Sequence, residues 1–554
     1  MVDLPTSEFH RQVLWTGGTG TTEIALNSTS VKEFLSKDNT FDLVISELFY
    51  QEAMFMLAYK YKAPLVLVTT YGNSMKNNIL LRNPLQLATI ISEFMRIDSP
   101  TSFLGRLHNA YFCIYEYIFW KYWYLPMQDA LVDKYFKDLP RPLPSLEELH
   151  KNASLVLMNT HFSYDPPAAY LPNIVEVGGL HLKETDTKLP EDLQKILDEA
   201  KYGVVYVNFG SNVKSSELPA EKKDAFINVF KKLKQIVLWK WEEPLLENKP
   251  ENVIIRAWMP QKEILAHPNI KVFIAHGGLI GMQEATFYGV PIVGIPVYCD
   301  QYNNLLLAEQ NGYGKILDYH DINEHSLERI LNEVLKDDSF RRRAREMSLR
   351  FRDRPMSALD TAVFWIEYVI RHKGADFMKN PALKLNWFAF QMLDVYVFVL
   401  VVVAIFTIVT VKLLLAIVRK GGGRIDSPTT GVQRGPMAII RQIFERAALF
   451  GRRGRQLCAS SAACRLMNSK CAVRYGLVPP REPSSASFFP AEQNSTSEMY
   501  EEKVCAIPIT RLQQYFVRFI KSAQLKLGER RAAAGTTFAA EMKICRVFAA
   551  TCSL

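Results

Sequence analysis

Residues Val395–Val418 read VYVFVLVVVAIFTIVTVKLLLAIV, 24 residues with one charge, Lys412. No other stretch narrows the possible folds so far. A helix of this sequence has no polar face, so it does not fit the half-buried helix of a soluble core. It exceeds the roughly 20 apolar residues that a membrane-spanning helix needs. Asp394 precedes it and Arg419-Lys420 follow it. Cationic flanks stay on the cytosolic side. The pattern therefore predicts residues 1–394 on the far side of a membrane and residues 419–554 in the cytosol. Asn27 (NST) and Asn152 (NAS) are glycosylation sequons in the first part; motifs this short also arise by chance. The opening MVDLPTSEFHRQ carries no apolar core, and no signal peptide is read there.

The net charge of +9 is unevenly placed. Residues 419–554 hold 22 basic and 9 acidic residues; residues 1–418 hold 44 and 48. The excess of cations thus belongs to the tail. Its charges are spread out and no nucleic-acid motif accompanies them, so a solvated tail beside anionic lipid is the reading and nucleic acid is not a partner. Cys113 and Cys299 are the only cysteines before residue 419, which excludes a disulfide framework for that part. At 554 residues the chain exceeds a single core, so two or more domains are expected.

Before the apolar run, strand-like and helix-like pieces alternate. FDLVIS (Phe41–Ser46), PLVLVT (Pro64–Thr69) and SLVLMNT (Ser154–Thr160) are short continuous apolar runs, the mark of parallel strands buried on both faces. An aromatic-rich helical stretch, about 85–135, separates the last two. PPAAYLPNIVEVGGLHL reads as a linker. A second series follows: GVVYVNFGS, an amphipathic helix with Phe226, Val229, Phe230 and Leu233 on one face, IVLWKW, NVIIRAWMP, KVFIAHGG, a helix, and PIVGIP. RFRDRPMSALDTAVFWIEYVIRHKG reads as one long helix leading to the membrane. Such alternation predicts doubly wound parallel sheets with right-handed crossovers. Ligands of such sheets sit beyond the carboxyl ends of the strands. Ser211, Trp258, His276 and Asp300 fall along that rim.

The densest stretch is FIAHGGLIGMQEATFYGVPIVGIP, Phe273–Pro296. A strand runs into His276-Gly277-Gly278. A helix starts near Leu279 and ends at Gly289, a C-terminal glycine before Pro291. Glycines ahead of a helix let backbone N–H groups approach an anion, and the helix dipole favours its charge. His276 adds a donor, and Glu284 is placed to accept from a ribose hydroxyl. Alone, the stretch reads first as an ordinary tight turn with a locally satisfied histidine, since glycine-rich turns are common. Its neighbours add weight. Trp258 ends one strand and can stack on a base, with Gln261 beside it. Gly210-Ser211 offers a second phosphate contact. Asp300 and Gln301 can read sugar hydroxyls. TGGTGTT (Thr16–Thr22) is glycine-rich too, but no lysine follows to make a phosphate loop.

The run Trp258–Gln301 resembles the signature of the UDP-glycosyltransferases. It matches at Trp258, Gln261, His267-Pro268, His276-Gly277-Gly278, Glu284, Gly289-Val290-Pro291, Pro296 and Asp300-Gln301. FGSNVKSSELP and ALDTAVFWIEYVIRHKGA resemble the insect branch, and the likeness covers about residues 10–420. It implies an α/β chain of the GT-B class: two Rossmann-like doubly wound domains, the first incomplete, plus one C-terminal transmembrane helix. The boundaries expected are 1–170 for the acceptor domain, 171–375 for the donor domain with a closing helix, 376–394 juxtamembrane, 395–418 spanning, and 419–554 as a basic tail of unassigned fold. The resemblance implies that Trp258 stacks on uracil and Gln261 contacts the nucleoside. Ser211, His276, Gly277, Gly278 and Gly281 would hold the diphosphate, Glu284 the ribose, and Asp300 with Gln301 the donor sugar.

The reaction implied is inverting transfer of a hexosyl group, glucose by the insect likeness, from a UDP-sugar to a hydroxyl of a small lipophilic acceptor, as in detoxification. No cofactor and no metal are expected. The setting implied is the endoplasmic reticulum membrane, with lipid as a partner and a homo- or hetero-oligomer as a further one. Family members deprotonate the acceptor with a histidine near the N-terminus, held by an acid. Glu47, in FDLVISELF, matches the acid; a solvent-facing strand-end carboxylate is the equal alternative. The strand with the histidine is not found, His10 lies in no such context, and His161 falls in linker text. Transfer by this sequence is accordingly expected to be poor. The rival expectations are a family member that binds UDP-sugar without turnover, and a membrane receptor or scaffold.

Overall fold

The computed structural model describes residues 6–421, apart from 93, 98 and 183–187, together with Ile544–Arg546. The chain divides into one unit of residues 1–384 with 496–554 and another of residues 385–495.

The first unit holds two all-parallel sheets. In its first domain β1 (Leu43–Glu47), β2 (Leu65–Val68) and β3 (Leu155–Met158) are buried at every position. This is why they read as unbroken apolar runs: helices cover both faces of a parallel sheet. β4 (Ile174–Glu176) pairs with β3 in register Val156↔Ile174. It lies inside the stretch expected as linker and carries the first sheet past the expected boundary at 170. Three residues following a proline are too few to register as a strand pattern. The helix Phe103–Phe119 continues through Trp120–Tyr124 into Leu125–Tyr135. Ser102 caps its start by accepting from the Gly105 N–H at 3.0 Å.

The second domain contains β5 (Val204–Asn208), β6 (Ile236–Lys240), β7 (Val253–Arg256), β8 (Ile270–Ala275), β9 (Ile292–Gly294) and β10 (Gly314–Ile316). Their order is β10-β9-β8-β5-β6-β7. The chain lays three strands outward from β5, then returns to lay three on the other side. The direction reverses between β5 and β8, and a crevice opens there at the strands' carboxyl ends. Alternate residues of β5 serve the two faces. Val205 and Val207 pack with Phe226, Phe230 and Trp239, whereas Val204 and Tyr206 pack with Phe273 and Met282. Each such fully buried side chain contributes roughly 1.5–3 kcal/mol.

The long helix expected before the membrane is two helices, Asp338–Arg352 and Ala358–Arg371. Pro355 cannot continue a helix, and Ser357 starts the next by accepting from the Asp360 N–H at 3.0 Å. The second of these was expected to close the donor domain. Instead it buries Ala362, Val363, Ile366 and Val369 in the core of the first domain.

β11 (Ile544–Arg546) extends the first sheet, whose order is β11-β1-β2-β3-β4. It lies parallel to β1, with Leu43↔Ile544 and Ile45↔Arg546. The β1 edge is therefore paired over three residues.

In the second unit the helix Leu393–Gly421 runs 29 residues. At 1.5 Å per residue it is about 44 Å long, enough to cross a bilayer.

Candidate functional site

The crevice between β5 and β8 is built around His276, the first residue after β8. Its ring lies against two glycines. A Cβ on Gly210 would stand 2.8 Å from its Cε1, and one on Gly278 would stand 2.7 Å from its Nε2. Gly210 (φ +82°) and Gly277 (φ +92°) also hold left-handed backbone that an L side chain strains to adopt. A Cβ on Gly277 would meet the Gln301 carbonyl oxygen at 2.6 Å. Past Gly278 the helix Leu279–Tyr288 begins, and Gly278, the residue at its cap position, has no side chain to satisfy the first N–H groups. A strand end, an imidazole and an uncapped positive helix end thus meet at one point, an arrangement made for an anion. The helix ends at Gly289 (φ +67°), as read from the sequence.

Glu284 is buried one turn and a half into that helix. Gln261, first residue of the helix Gln261–Ala266, donates to its Oε2 through Nε2. His181 lies on its other side, Nε2 at 3.5 Å from Oε1. Asn208, the last residue of β5, donates to Gln261 Oε1 and, at 2.9 Å, to the Tyr206 hydroxyl. Asn208 Oδ1 accepts from the Gly210 N–H at 2.8 Å and so fixes the turn that leads to half-buried Ser211. Gly281 faces Gln261, at 3.4 Å from Nε2 to a built Cβ. Trp258, two residues beyond β7, is 56 % exposed. A large indole held at the crevice rim is placed to stack on a flat ring.

Asp300 precedes the helix Gln301–Gln310. Desolvation pushes its carboxyl up to about 6, against the Asn304 hydrogen bond, which lowers it. Asn304 Nδ2 reaches Asp300 Oδ2 at 2.9 Å and the Gly277 carbonyl at 3.0 Å, tying this loop to the His276 turn. Gln301 is buried, and its Oε1 accepts from the Val297 and Tyr298 N–H groups at 2.8 and 3.1 Å. Its oxygen thus serves the loop.

Glu47 closes β1 and is 2 % exposed. It is not the solvent-facing carboxylate that was the equal alternative. Thr70 Oγ1 donates to it at 2.9 Å, and burial pushes its carboxyl up to about 7. Thr70 is its hydrogen-bond partner among the described residues. His10 is enclosed by Trp15, Phe94 and Phe112, and burial holds it down at about 3. His161 stacks on Phe351 at 4.0 Å between ring centroids. TGGTGTT opens the helix Thr16–Asn27.

Asn208, His181 and Asn304 complete the site and were not among its expected members. Gly210 was legible beside Ser211. Asn208 ends a strand just before it, and Asn304 shares a helix face with Asp300. His181 lies about a hundred residues from Glu284, and no local pattern joins them.

Two doubly wound parallel domains, one with an anion crevice at its switch point and a stacking ring on the rim, define a sugar-nucleotide transferase of the GT-B class. A family model described as "UDP-glucoronosyl and UDP-glucosyl transferase" matches residues 21–424. Similar proteins include "UDP-glycosyltransferase UGT5" of Dactylopius coccus, 37 % identical over 391 residues, covering 70 % of this chain and 72 % of that one. "UDP-glucuronosyltransferase 2A2" of Mus musculus is 32 % identical over 341 residues, covering 61 % and 63 %. Among solved structures, a UDP-glucose: anthocyanidin 3-O-glucosyltransferase in complex with UDP is 16 % identical with a TM-score of 0.42, covering 62 % and 78 %. The chain belongs to the UDP-glycosyltransferase family, whose members transfer sugar from a UDP-sugar to an acceptor.

Proposed function

We propose that this chain transfers a hexosyl group, glucose in the first instance, from a UDP-sugar to a hydroxyl of a small lipophilic acceptor with inversion. The observation that carries the reading is the crevice between β5 and β8, where His276 is wedged between Gly210 and Gly278 at an uncapped helix start. In this reading uracil stacks on Trp258 with Gln261 at its edge. Glu284, oriented by Gln261 and His181, accepts from the ribose hydroxyls. Ser211, His276, Gly277, Gly278 and Gly281 surround the diphosphate, and Asp300 with Gln301 holds the sugar. The acceptor oxygen forms a bond to the anomeric carbon as the bond to UDP breaks. UDP leaves with the electron pair, and the acceptor proton passes to a base. Positive charge from the helix end and a histidine donor balance the diphosphate, so no metal is proposed.

The insect relatives support glucose; one of them is named "UDP-glucosyltransferase 2". We assign the chain to the endoplasmic reticulum membrane in a detoxifying role, with residues 1–384 luminal. The exposure of Asn27 and Asn152 fits luminal glycosylation. The test is UDP release from UDP-glucose and a phenol by the purified full chain, with and without chelator. Chelator-insensitive turnover that His276→Ala abolishes is expected. Failure to bind UDP would refute the reading.

A second reading has its own observation. Glu47 is hydrogen-bonded to Thr70, and His10 is sealed among aromatic rings. No described histidine is positioned by Glu47 to deprotonate an acceptor. Binding of UDP-sugar without turnover would favour this impaired form, alone or paired with an active homologue.

A further inference from the structure

The helix Phe103–Phe119 and its continuation to Tyr124 are apolar on the wrong side. Their inward residues include Asn109 and Glu116, both 1 % exposed. Asn109 spends its amide on the Ile90 and Leu87 carbonyls and the Ser92 N–H, and Glu116 accepts from Ser92. The outward row is Leu104, Leu107, Tyr111, Ile114, Ile118 and Tyr122, spaced three and four residues apart. Phe103 and Trp123 extend it, at 69 % and 56 % exposed. Together with Phe119 this surface comes to on the order of 1,000 Å², above the few hundred Å² that a soluble monomer ordinarily leaves bare. The charges exposed with it are cationic, Arg106 and partly buried Lys121; Glu116, the one acid between residues 103 and 124, is buried.

We propose that this face lies in the headgroup–acyl boundary of the bilayer that carries the chain's spanning helix. Three observations favour lipid over protein. Tyr111, Tyr122 and Trp123 are the residue types that settle at a membrane–water boundary, between aliphatic side chains that enter it. Lys121 is held by Glu147 at 2.8 Å, which leaves Arg106 as the exposed cation between residues 103 and 124, suited to a lipid phosphate. Eight residues, Leu385–Met392, join this unit to the helix Leu393–Gly421. The join is short, and part of it is the helix Trp387–Phe390. The face then serves the sugar-transfer reading, since a lipophilic acceptor dissolves in the same layer, but it stands without that reading.

The test uses the full chain in proteoliposomes recovered by flotation, so that the span is inserted whatever the outcome. A fluorescent probe is placed at Ile118→Cys, at Ile114→Cys, or at Leu349→Cys on the second domain (70 % exposed). The unsubstituted chain supplies the labelling background. Probes at 114 and 118 are expected to be quenched at least roughly twofold more than the one at 349 by doxyl-phosphatidylcholine, and more by a shallow doxyl than a deep one, as befits burial of about 5–10 Å. Adding Leu107→Glu and Tyr111→Glu should return the 118 probe to the level of 349 while UDP binding is kept. Equal quenching at 118 and 349 would overturn the proposal. So would a probe that is shielded without lipid quenching and follows protein concentration, which would assign the face to a second copy.

Discussion

Gly278→Ala separates a glycine kept for a ligand from one kept for the fold. Gly278 has φ −61° and ψ 133°, which alanine adopts freely. The added Cβ would stand 2.7 Å from His276 Nε2 and 3.0 Å from Cε1. Ordinary contact is about 3.5–4.0 Å, so the ring must move by about 1 Å. A hydrogen bond from that ring to a phosphate would be lost. Bonds to charged groups are worth about 1.5–3 kcal/mol net, or roughly 10- to 150-fold in UDP affinity. Stability should change by under about 1 kcal/mol, because a side chain moves and the backbone does not. Two neighbours serve as controls. At Gly281 a Cβ meets Gln261 Nε2 at 3.4 Å, an ordinary contact, so Gly281→Ala should keep the parent's Tm. At Gly277 the φ of +92° and a Cβ 2.6 Å from the Gln301 carbonyl combine. Gly277→Ala should cost about 2–5 kcal/mol, or roughly 5–15 °C in Tm. Titration calorimetry with UDP and thermal unfolding read the two quantities. Wild-type UDP affinity in Gly278→Ala, or a Tm loss equal to that of Gly277→Ala, would refute the reasoning.

Trp258→Ala should weaken UDP binding by about 1–3 kcal/mol, the value of a base stacked on an aromatic ring. Its Tm should hold, since the indole is 56 % exposed; an unchanged UDP affinity would remove the uracil assignment. Asp300 ionises near 6 and would accept from sugar hydroxyls as a carboxylate. The KM for UDP-sugar should therefore fall as pH rises from 5 to 7, and Asp300→Asn should raise KM and flatten that slope; a parallel profile in the variant would contradict the role. Burial raises Glu47 from its ordinary 4.5 to about 7. Its stability is full below the unfolded pKa and is lost as pH rises through about 7, by on the order of 3 kcal/mol at pH 9. Glu47→Gln keeps an acceptor for Thr70 and cannot ionise, so its Tm should exceed the parent's at pH 8.5 and match it near pH 4.5; equal offsets at both pH values would show that Glu47 stays charged.

Strand positions and the donor motif were legible because each is local. VVYVN and IKVFIA declare buried parallel strands by composition, and His276-Gly277-Gly278 declares a turn ahead of a helix. The order of the strands was not legible, since it is fixed by which helix covers which face. Yet that order decides the site: β5 and β8 become neighbours only at the reversal, and only then do Gly210 and Gly278 close on the same imidazole. The same limit hid His181, which reaches Glu284 from a turn after β4, and Asn208, which reaches Gln261 across the sheet. Long-range partners of this kind leave no periodic trace.

Glu47 and the helix Phe103–Phe119 mark a different limit. The sequence placed Glu47 at a strand end, where a carboxylate is either bathed in water or held for chemistry. The decision lay with Thr70, which follows the neighbouring strand β2 and covers it. In the helix both faces carry aromatic and aliphatic residues, so periodicity detects a helix and cannot say which side turns in. The polar residues settle it. Asn109 and Glu116 are drawn inward because the chain around Ser92 offers N–H, carbonyl and hydroxyl partners that no apolar side chain could satisfy. Unpaired buried polar groups cost about 1–3 kcal/mol each, as much as burying a leucine yields. Satisfying the Ser92 segment therefore fixes the helix rotation and turns Leu107, Ile114 and Ile118 outward. An apolar face produced in that way needs a cover.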